Sequence, residues 1–317
     1  MKINILLLLF VAGVSVCTSQ LAPPATPLGA TTQEVLIGCA PRDRQAVPLS
    51  LGALSAKGLT LTNLVPVGEK PFNYVLVYDR RELALASNGK IQLVLSRLLL
   101  HSLTRTGKDS GSVVFFDGGV DTSKGSTTSA DDILAVAETI QPGDNGFVLL
   151  DAIREGVKVL DKMESGRPRF VFVVSLGRPS IATDRFRDQS DVWNKDQAKV
   201  ESLLIASHTL LIAVTMNDWN DRPNAALGLE TYRSVIGGMT SQVGGRLLDA
   251  QSASSEFKIA KDYRKDFDNL ARLFQNWYWL RLQPTGLRGE PALNLRTAAH
   301  CDLVAPSRLI VGRNKPQ

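Results

Sequence analysis

The sequence predicts an α/β domain built on a doubly wound, mostly parallel sheet, with small β additions from both termini. Three short and almost continuously apolar runs, Phe72–Tyr78, Arg169–Ser175 and Thr209–Thr215, are typical of parallel strands covered on both faces. Stretches with apolar residues at helical spacing separate these runs, and such alternation of strands and helices is the pattern of a doubly wound sheet. The 317 residues, 44% hydrophobic and 21% charged, suffice for one large domain.

The N-terminus predicts export. Lys2 precedes an apolar run over residues 3–14, which is followed by small and polar residues as in a secretory signal peptide. The run is short for a membrane span, and no other stretch is long and apolar enough, so we expect no integral membrane protein. We assign residues 1–19 to the signal peptide, with cleavage after Ser19 and a secreted or periplasmic product. A lipid anchor at Cys17 stays open, although the branched Val16 before it disfavours that alternative.

The segment after the signal predicts a tether and then a small β segment. Residues 20–33 are rich in Pro, Thr and Ala and predict a flexible linker. Residues 34–70 predict an N-terminal β segment with strands at Glu34–Cys39, Ala46–Leu51 and Leu59–Val67. Without the signal peptide, Cys39 and Cys301 are the remaining cysteines. Export would permit a disulfide between them, with two buried free thiols as the open alternative.

Strands and helices alternate from residue 71 to residue 284. Asp79 follows the first buried strand, at the carboxyl end where open α/β sheets bind ligands. Asp117-Gly118-Gly119, after a strand at Gly111–Phe116, predicts a tight turn and an antiparallel edge strand. The predicted helices are Lys90–Leu103, Ser129–Ile140, Phe147–Glu164, Gln189–Ser207, Leu227–Gln242 and Ser254–Trp277. The remaining predicted strands are Arg246–Ala250, Tyr278–Gln283, Ala292–Ala298 and Arg308–Val311, the last two within a C-terminal β extension over residues 285–317.

The charge pattern and the motif content argue against several function classes. The net charge is +5, but the basic residues are mixed with acids, so we expect a mildly basic surface and no nucleic-acid partner. None of the three histidines has a metal-ligand neighbour at i+3 or i+4, which disfavours a zinc site. His300-Cys301-Asp302 are consecutive, and neighbours on a strand point to opposite faces, so they do not form a catalytic triad. Nucleophile-elbow, Walker and dinucleotide-binding motifs are absent from the sequence.

The order of these elements resembles a von Willebrand factor A-type (VWA) domain, and more narrowly the VWA-related domains of secreted acidobacterial proteins. The resemblance spans residues 71–284 and is carried by Val75–Asp79, Leu149–Ile153, Phe170–Ser175, Ile236–Leu247 and Leu273–Pro284. It implies a bacterial protein with a Rossmann-like α/β fold and a role in protein binding.

The metal site of such domains is degenerate in this sequence. VWA domains bind a divalent cation through carboxylate and hydroxyl oxygens of three loops, the first written Asp-x-Ser-x-Ser. Here the first loop reads Asp79-Arg80-Arg81-Glu82-Leu83, and the resemblance places Phe147 and Leu176 where a threonine and an aspartate are expected. The two guanidiniums would repel a cation and can pair with Asp79 themselves. We therefore expect neither a metal ion nor another cofactor.

The sequence thus predicts an exported, non-enzymatic protein-interaction or scaffold module that binds a protein partner without a metal ion. The predicted binding residues are Asp79, Arg80, Arg81, Glu82, Asn145, Gly146, Gly177 and Arg178. One alternative is an envelope-associated hydrolase or transferase that uses loop carboxylates, because Asp117, Asp121, Asp144 and Asp151 could gather at one end of the sheet. For Asp121 and Asp151, however, a solvated acid and a local helix partner are the favoured interpretations. Another alternative is a structural subunit of an envelope assembly.

Overall fold

A computed structural model describes residues 32–42, 48–81, 86–123, 125–143, 148–175, 190–217, 226–251, 256–284 and 291–310, all within one compact unit. The strands are β1 (Gln33–Pro41), β2 (Leu54–Ala56), β3 (Leu59–Pro66), β4 (Asn73–Asp79), β5 (Ser110–Phe116), β6 (Val120–Thr122), β7 (Arg169–Val174), β8 (Thr209–Asn217), β9 (Arg246–Gln251), β10 (Trp277–Pro284), β11 (Leu295–Thr297) and β12 (Cys301–Val304). The α-helices are α1 (Ala86–Leu103), α2 (Ala130–Thr139), α3 (Leu149–Asp161), α4 (Ser190–Ala206), α5 (Ala226–Val243) and α6 (Glu256–Gln275).

The central sheet has the strand order β6-β5-β4-β7-β8-β9. Strands β5, β4, β7, β8 and β9 are mutually parallel, and β6 pairs antiparallel with β5 at one edge. The predicted buried strands are confirmed, and so is the hairpin at Asp117–Gly119. The protein is a mixed α/β fold with a mostly parallel sheet flanked by helices.

Both faces of the central sheet are covered, which explains the continuous apolar runs. All seven residues of β4 are buried, and their side chains alternate between two hydrophobic clusters. Tyr74, Leu76 and Tyr78 face the cluster that includes side chains of α1, α2 and α6. Val75 and Val77 face the cluster that includes side chains of α3, α4 and α5. The sheet is therefore the middle layer of three.

A second, antiparallel sheet has the strand order β12-β1-β10-β3. One face of this sheet carries Trp277 and Leu36 into the first cluster, and its other face forms a third cluster with residues such as Ile37 and Leu280. Strand β10, which closes the stretch that resembles a VWA domain, lies between β1 and β3. A disulfide joins Cys39 of β1 to Cys301 of β12, with the Cα atoms 5.5 Å apart.

Of three strand predictions for the terminal segments, two are wrong in the described residues and one is confirmed only in part. Within Ala46–Leu51, residues 48–50 are irregular and Leu51 begins a short 3-10 turn, while Ala46 and Val47 lie outside the described residues. Of Ala292–Ala298 only β11 is a strand, and Arg308–Val311 makes a single bridge from Arg308 to Ala292 as far as Ile310. Strand β12 was not predicted. These short pieces are placed by partners far along the chain, and Pro306, which lacks an N–H, interrupts the path beyond β12.

Candidate binding site at the carboxyl end of the sheet

The parallel strands bring three polar side chains to one edge of the central sheet. Asp79 is the last residue of β4, Asp117 follows β5, and Ser175 follows β7, and all three are buried. Arg80 and Arg81 continue directly from β4, so three of the predicted binding residues lie at this edge. Glu82, Asn145, Gly146, Gly177 and Arg178 lie outside the described residues.

The Asp79 carboxylate is enclosed by donors from its own chain. Oδ1 accepts from the backbone N–H of Arg81 at 3.2 Å and from its Nε at 2.9 Å. Oδ2 accepts from Arg81 Nη2 at 2.6 Å and from the Ser175 hydroxyl at 2.9 Å. The side chain of Asp79 is 0% exposed and that of Arg81 is 7% exposed. A two-pronged guanidinium–carboxylate pair of this kind is strong and geometrically specific.

Arg80 makes a second ion pair beside the first one. Its Nε donates to Asp117 Oδ2 and its Nη1 donates to Asp121 Oδ2, both at 2.6 Å. The hydrogen bond to Asp117 is the main cause of the raised pKa of the Arg80 guanidinium. Asp117 is also held by the Gly119 N–H, which donates to its Oδ1 at 2.7 Å. The side chain of Asp121 is 61% exposed, so this pair reaches the surface while the Asp79–Arg81 pair does not.

The backbone around the two pairs leaves little free space. A Cβ atom on Gly143 would lie 1.8 Å from Asp117 Oδ2 and 2.6 Å from Arg80 Nε, so only glycine fits there. Beneath the site, the buried Gln92 of α1 donates from Nε2 to the backbone oxygens of Asp79 at 2.9 Å and Val174 at 3.3 Å. This amide ties together the ends of β4 and β7, and thereby fixes where the Asp79 side chain starts.

Sequence reasoning found one of the two ion pairs. The pairing of Asp79 with a neighbouring arginine was expected, and Arg81 makes it. Asp117 was interpreted as a turn residue and Asp121 as a solvated acid, yet both bind Arg80. The feature that brings Asp117 to Arg80 is the common sheet edge, because β5 and β4 are adjacent parallel strands whose carboxyl ends lie together.

The topology of the central sheet decides the fold type. The central sheet has five parallel strands and one antiparallel edge strand, and helices cover both of its faces. An acid, Asp79, ends the first strand of this sheet. This is the arrangement expected from the resemblance to a VWA domain. The domain has a VWA-like fold. No protein-family model and no curated protein matches this sequence.

Several solved structures are similar to this VWA-like domain. A von Willebrand factor type A protein from Catenulispora acidiphila is 9% identical, with 83% of this chain and 76% of that chain covered and a TM-score of 0.44. The conserved hypothetical protein BatB from Bacteroides thetaiotaomicron is 12% identical, with 64% and 98% covered and a TM-score of 0.43. Proximal thread matrix protein 1 from the mussel byssus, whose structure has a zinc-occupied metal-ion-dependent adhesion site, is 14% identical, with 70% of this chain covered and a TM-score of 0.44. This chain spans 49% of that mussel protein.

The described residues at the sheet edge do not fit the cation that VWA domains hold. A divalent cation needs carboxylate lone pairs directed at it, and the lone pairs of Asp79 are engaged by Arg81 and Ser175. The positions of Phe147 and Leu176 lie outside the described residues. Within the described ranges there is no group of three or more His, Cys, Asp or Glu side chains that could hold a metal ion. No described helix is long and apolar enough to cross a bilayer.

Proposed function

We propose that this chain is an exported, non-enzymatic interaction module of VWA type that binds a protein partner without a divalent cation. The observation that carries the proposal is the enclosure of Asp79, whose two oxygens accept four hydrogen bonds from Arg81 and Ser175. The Arg81 guanidinium balances the charge of the buried Asp79 carboxylate, so the site needs no metal ion to do so. Export is supported by the Cys39–Cys301 disulfide, because disulfides persist in oxidising compartments.

The proposed contact face is the rim of the same site. The side chain of Arg80 is 20% exposed and that of Asp121 is 61% exposed, whereas Arg81, at 7%, is buried against Asp79. We include Glu82, Asn145, Gly146, Gly177 and Arg178 in this face on sequence grounds. An arginine held between two acids presents a fixed charge pattern, which gives selectivity between partners. The two buried carboxylates of this site, Asp79 and Asp117, are each paired with an arginine, which argues against their use as a general acid.

A capture experiment with charge-reversed variants tests the proposal. The full chain is immobilised and exposed to envelope extract with and without EDTA, and the bound proteins are quantified by mass spectrometry. Asp121→Arg should remove the specific partner, and EDTA should leave it bound. The control is Asp302→Arg, because Asp302 is also an exposed acid paired with an arginine, Arg42, but belongs to β12.

Two outcomes contradict the proposal. Loss of the partner in EDTA would mean that a cation takes part in binding. Equal capture by wild type and Asp121→Arg would mean that the partner does not bind at this rim. Activity of the purified chain on envelope substrates that is lost in Asp79→Asn would favour the hydrolase or transferase alternative.

A further inference from the structure

Strand β3 forms one edge of the second sheet. It pairs with β10 on one side, and no other described strand pairs with its opposite side. Thr62, Asn63 and Pro66 are exposed, so the second half of this strand is accessible to solvent. The edge of a sheet presents a row of N–H and C=O groups to which a strand of another chain can add.

Strand β3 is also the longest edge strand that the structure describes. The other edge strands of the central and second sheets are β6 with three residues, β12 with four and β9 with six, whereas β3 has eight. Short edge strands offer few backbone groups to a neighbour. Among the described edges, β3 is therefore the most favourable place for unwanted strand addition.

The hydrogen-bond register shows which positions of β3 face the outer edge. Directly after β3, the Val67 N–H donates to the Trp277 carbonyl of β10 at 2.8 Å, so position 67 directs its backbone groups toward β10. This direction alternates along an antiparallel pair, so positions 65 and 63 also face β10. Leu64 and Pro66 therefore direct their backbone groups toward the outer edge.

Neither of these two positions offers an N–H to another strand. The Leu64 N–H donates to the side-chain Oδ1 of Asn63 at 2.8 Å, at the exposed surface. Pro66 has no N–H. An added strand would find carbonyl groups at these positions but no donor, whereas antiparallel pairing uses both groups of each bonded residue.

A β-bulge interrupts the edge just before these positions. The register between β3 and β10 shifts between Arg281 and Leu282, which leaves Thr62 without a paired residue on β10. The Thr62 hydroxyl donates to the Arg281 carbonyl at 3.2 Å. Thr62 and Asn63 are consecutive and both exposed, so the alternation of the strand is broken there. A regular strand cannot follow an edge whose two-residue repeat is broken.

We propose that Asn63 and Pro66 close the outer edge of β3 and thereby prevent a second copy of this chain from pairing its own β3 with it. Each copy carries the same edge, and two identical edges can pair antiparallel about a twofold axis. Prolines and bulges protect sheet edges from such pairing. The Asn63 side chain adds to them, because it occupies the N–H that lies between the bulge and the proline.

The self-association of edge variants tests this role. Asn63→Val removes the acceptor of the Leu64 N–H, and Pro66→Val supplies a second N–H at the same edge. The matched control is Thr60→Val, which places a valine at another exposed position of β3 but leaves both protections in place. Sedimentation velocity of the full chain over a range of protein concentrations measures the self-association constant, and circular dichroism checks the fold of each variant.

We expect the double variant Asn63→Val/Pro66→Val to self-associate at least about tenfold more tightly than wild type, because the pairing gains several backbone hydrogen bonds. Thr60→Val should stay within about twofold of wild type, because a single exposed apolar side chain is ordinary on a protein surface. Equal self-association of the double variant and wild type, or an equal increase in Thr60→Val, would overturn the proposal.

A single substitution keeps the proposal testable where the double variant does not fold. Asn63 is exposed and valine favours strands, so Asn63→Val should keep the fold. This variant should self-associate more tightly than Thr60→Val, and equal constants for the two would overturn the proposal as well. Asp121→Arg leaves the edge of β3 unchanged, so its result bears only on the carboxyl-end proposal.

Discussion

Replacement of Arg81 by methionine isolates the energetic contribution of the buried ion pair. Asp79 is 0% exposed and Arg81 7% exposed in their side chains, so solvent does not screen the pair. Removal of one partner of such a pair leaves an uncompensated buried charge and costs about 3–5 kcal/mol. Ser175 still donates to Asp79 Oδ2 in this variant, so we expect the lower part of that range, about 3 kcal/mol. At about 2–4 °C per kcal/mol, the midpoint of thermal unfolding should fall by about 6–12 °C.

Urea unfolding followed by circular dichroism measures this loss. The control is Arg42→Met, because Arg42 and Asp302 form an exposed pair with side chains 64% and 53% exposed. Such pairs contribute about 0–1 kcal/mol, so the control should unfold nearly as wild type does. Addition of Asp79→Asn to Arg81→Met should restore more than about 1 kcal/mol, because the buried charge is then gone. Equal losses in Arg81→Met and Arg42→Met, or no recovery in the double variant, would refute the reasoning.

Three further measurements test other parts of the structure. Gly143→Ala should lower the free energy of unfolding by about 1–3 kcal/mol, because its Cβ would collide with Asp117 and Arg80; Gly52→Ala, which has nothing within 4 Å, should stay within about 0.5 kcal/mol of wild type in the same urea titration. Reduction of the disulfide should cost about 2–4 kcal/mol, because it closes a loop with a sequence separation of 262, and unchanged unfolding in dithiothreitol would contradict this. Magnesium ions should leave the thermal midpoint unchanged in differential scanning calorimetry, whereas a midpoint that rises with magnesium concentration would indicate a bound cation.

The central sheet was predictable because its signal is local. Strands β4, β7 and β8 are buried on both faces, so their sequences are apolar runs that can be recognised without knowledge of their partners. The second sheet lacks such a signal. Strand β12 pairs with β1 across most of the chain, and its Asp302 and Leu303 are not buried, so the four residues show little alternation. Long-range pairing of this kind is decided by tertiary packing rather than by local sequence.

Within the candidate site, only Asp79 and its pairing with a neighbouring arginine were predictable from the sequence. Asp79 was recognised because it ends a buried strand, and its neighbour Arg81 was a natural partner. The bond from Ser175 to Asp79 joins residues 96 apart in sequence, and the bond from Arg80 to Asp117 joins residues 37 apart. Both hydrogen bonds depend on which strands lie beside β4, and the hydrophobic pattern of the sequence does not determine the order of the strands in the sheet.

The charges at the carboxyl end of the central sheet predict how a partner would be recognised there. At the carboxyl end, side-chain charges are paired within the chain, so a partner gains by matching a fixed pattern around Arg80 and Asp121. Recognition there depends on the partner's side chains and should weaken as salt is added, because Asp121 is exposed. A salt titration of partner binding therefore tests the proposed contact face: the loss of binding caused by Asp121→Arg should shrink at high salt, and a loss that does not change with salt would contradict a charge-based contact at Asp121.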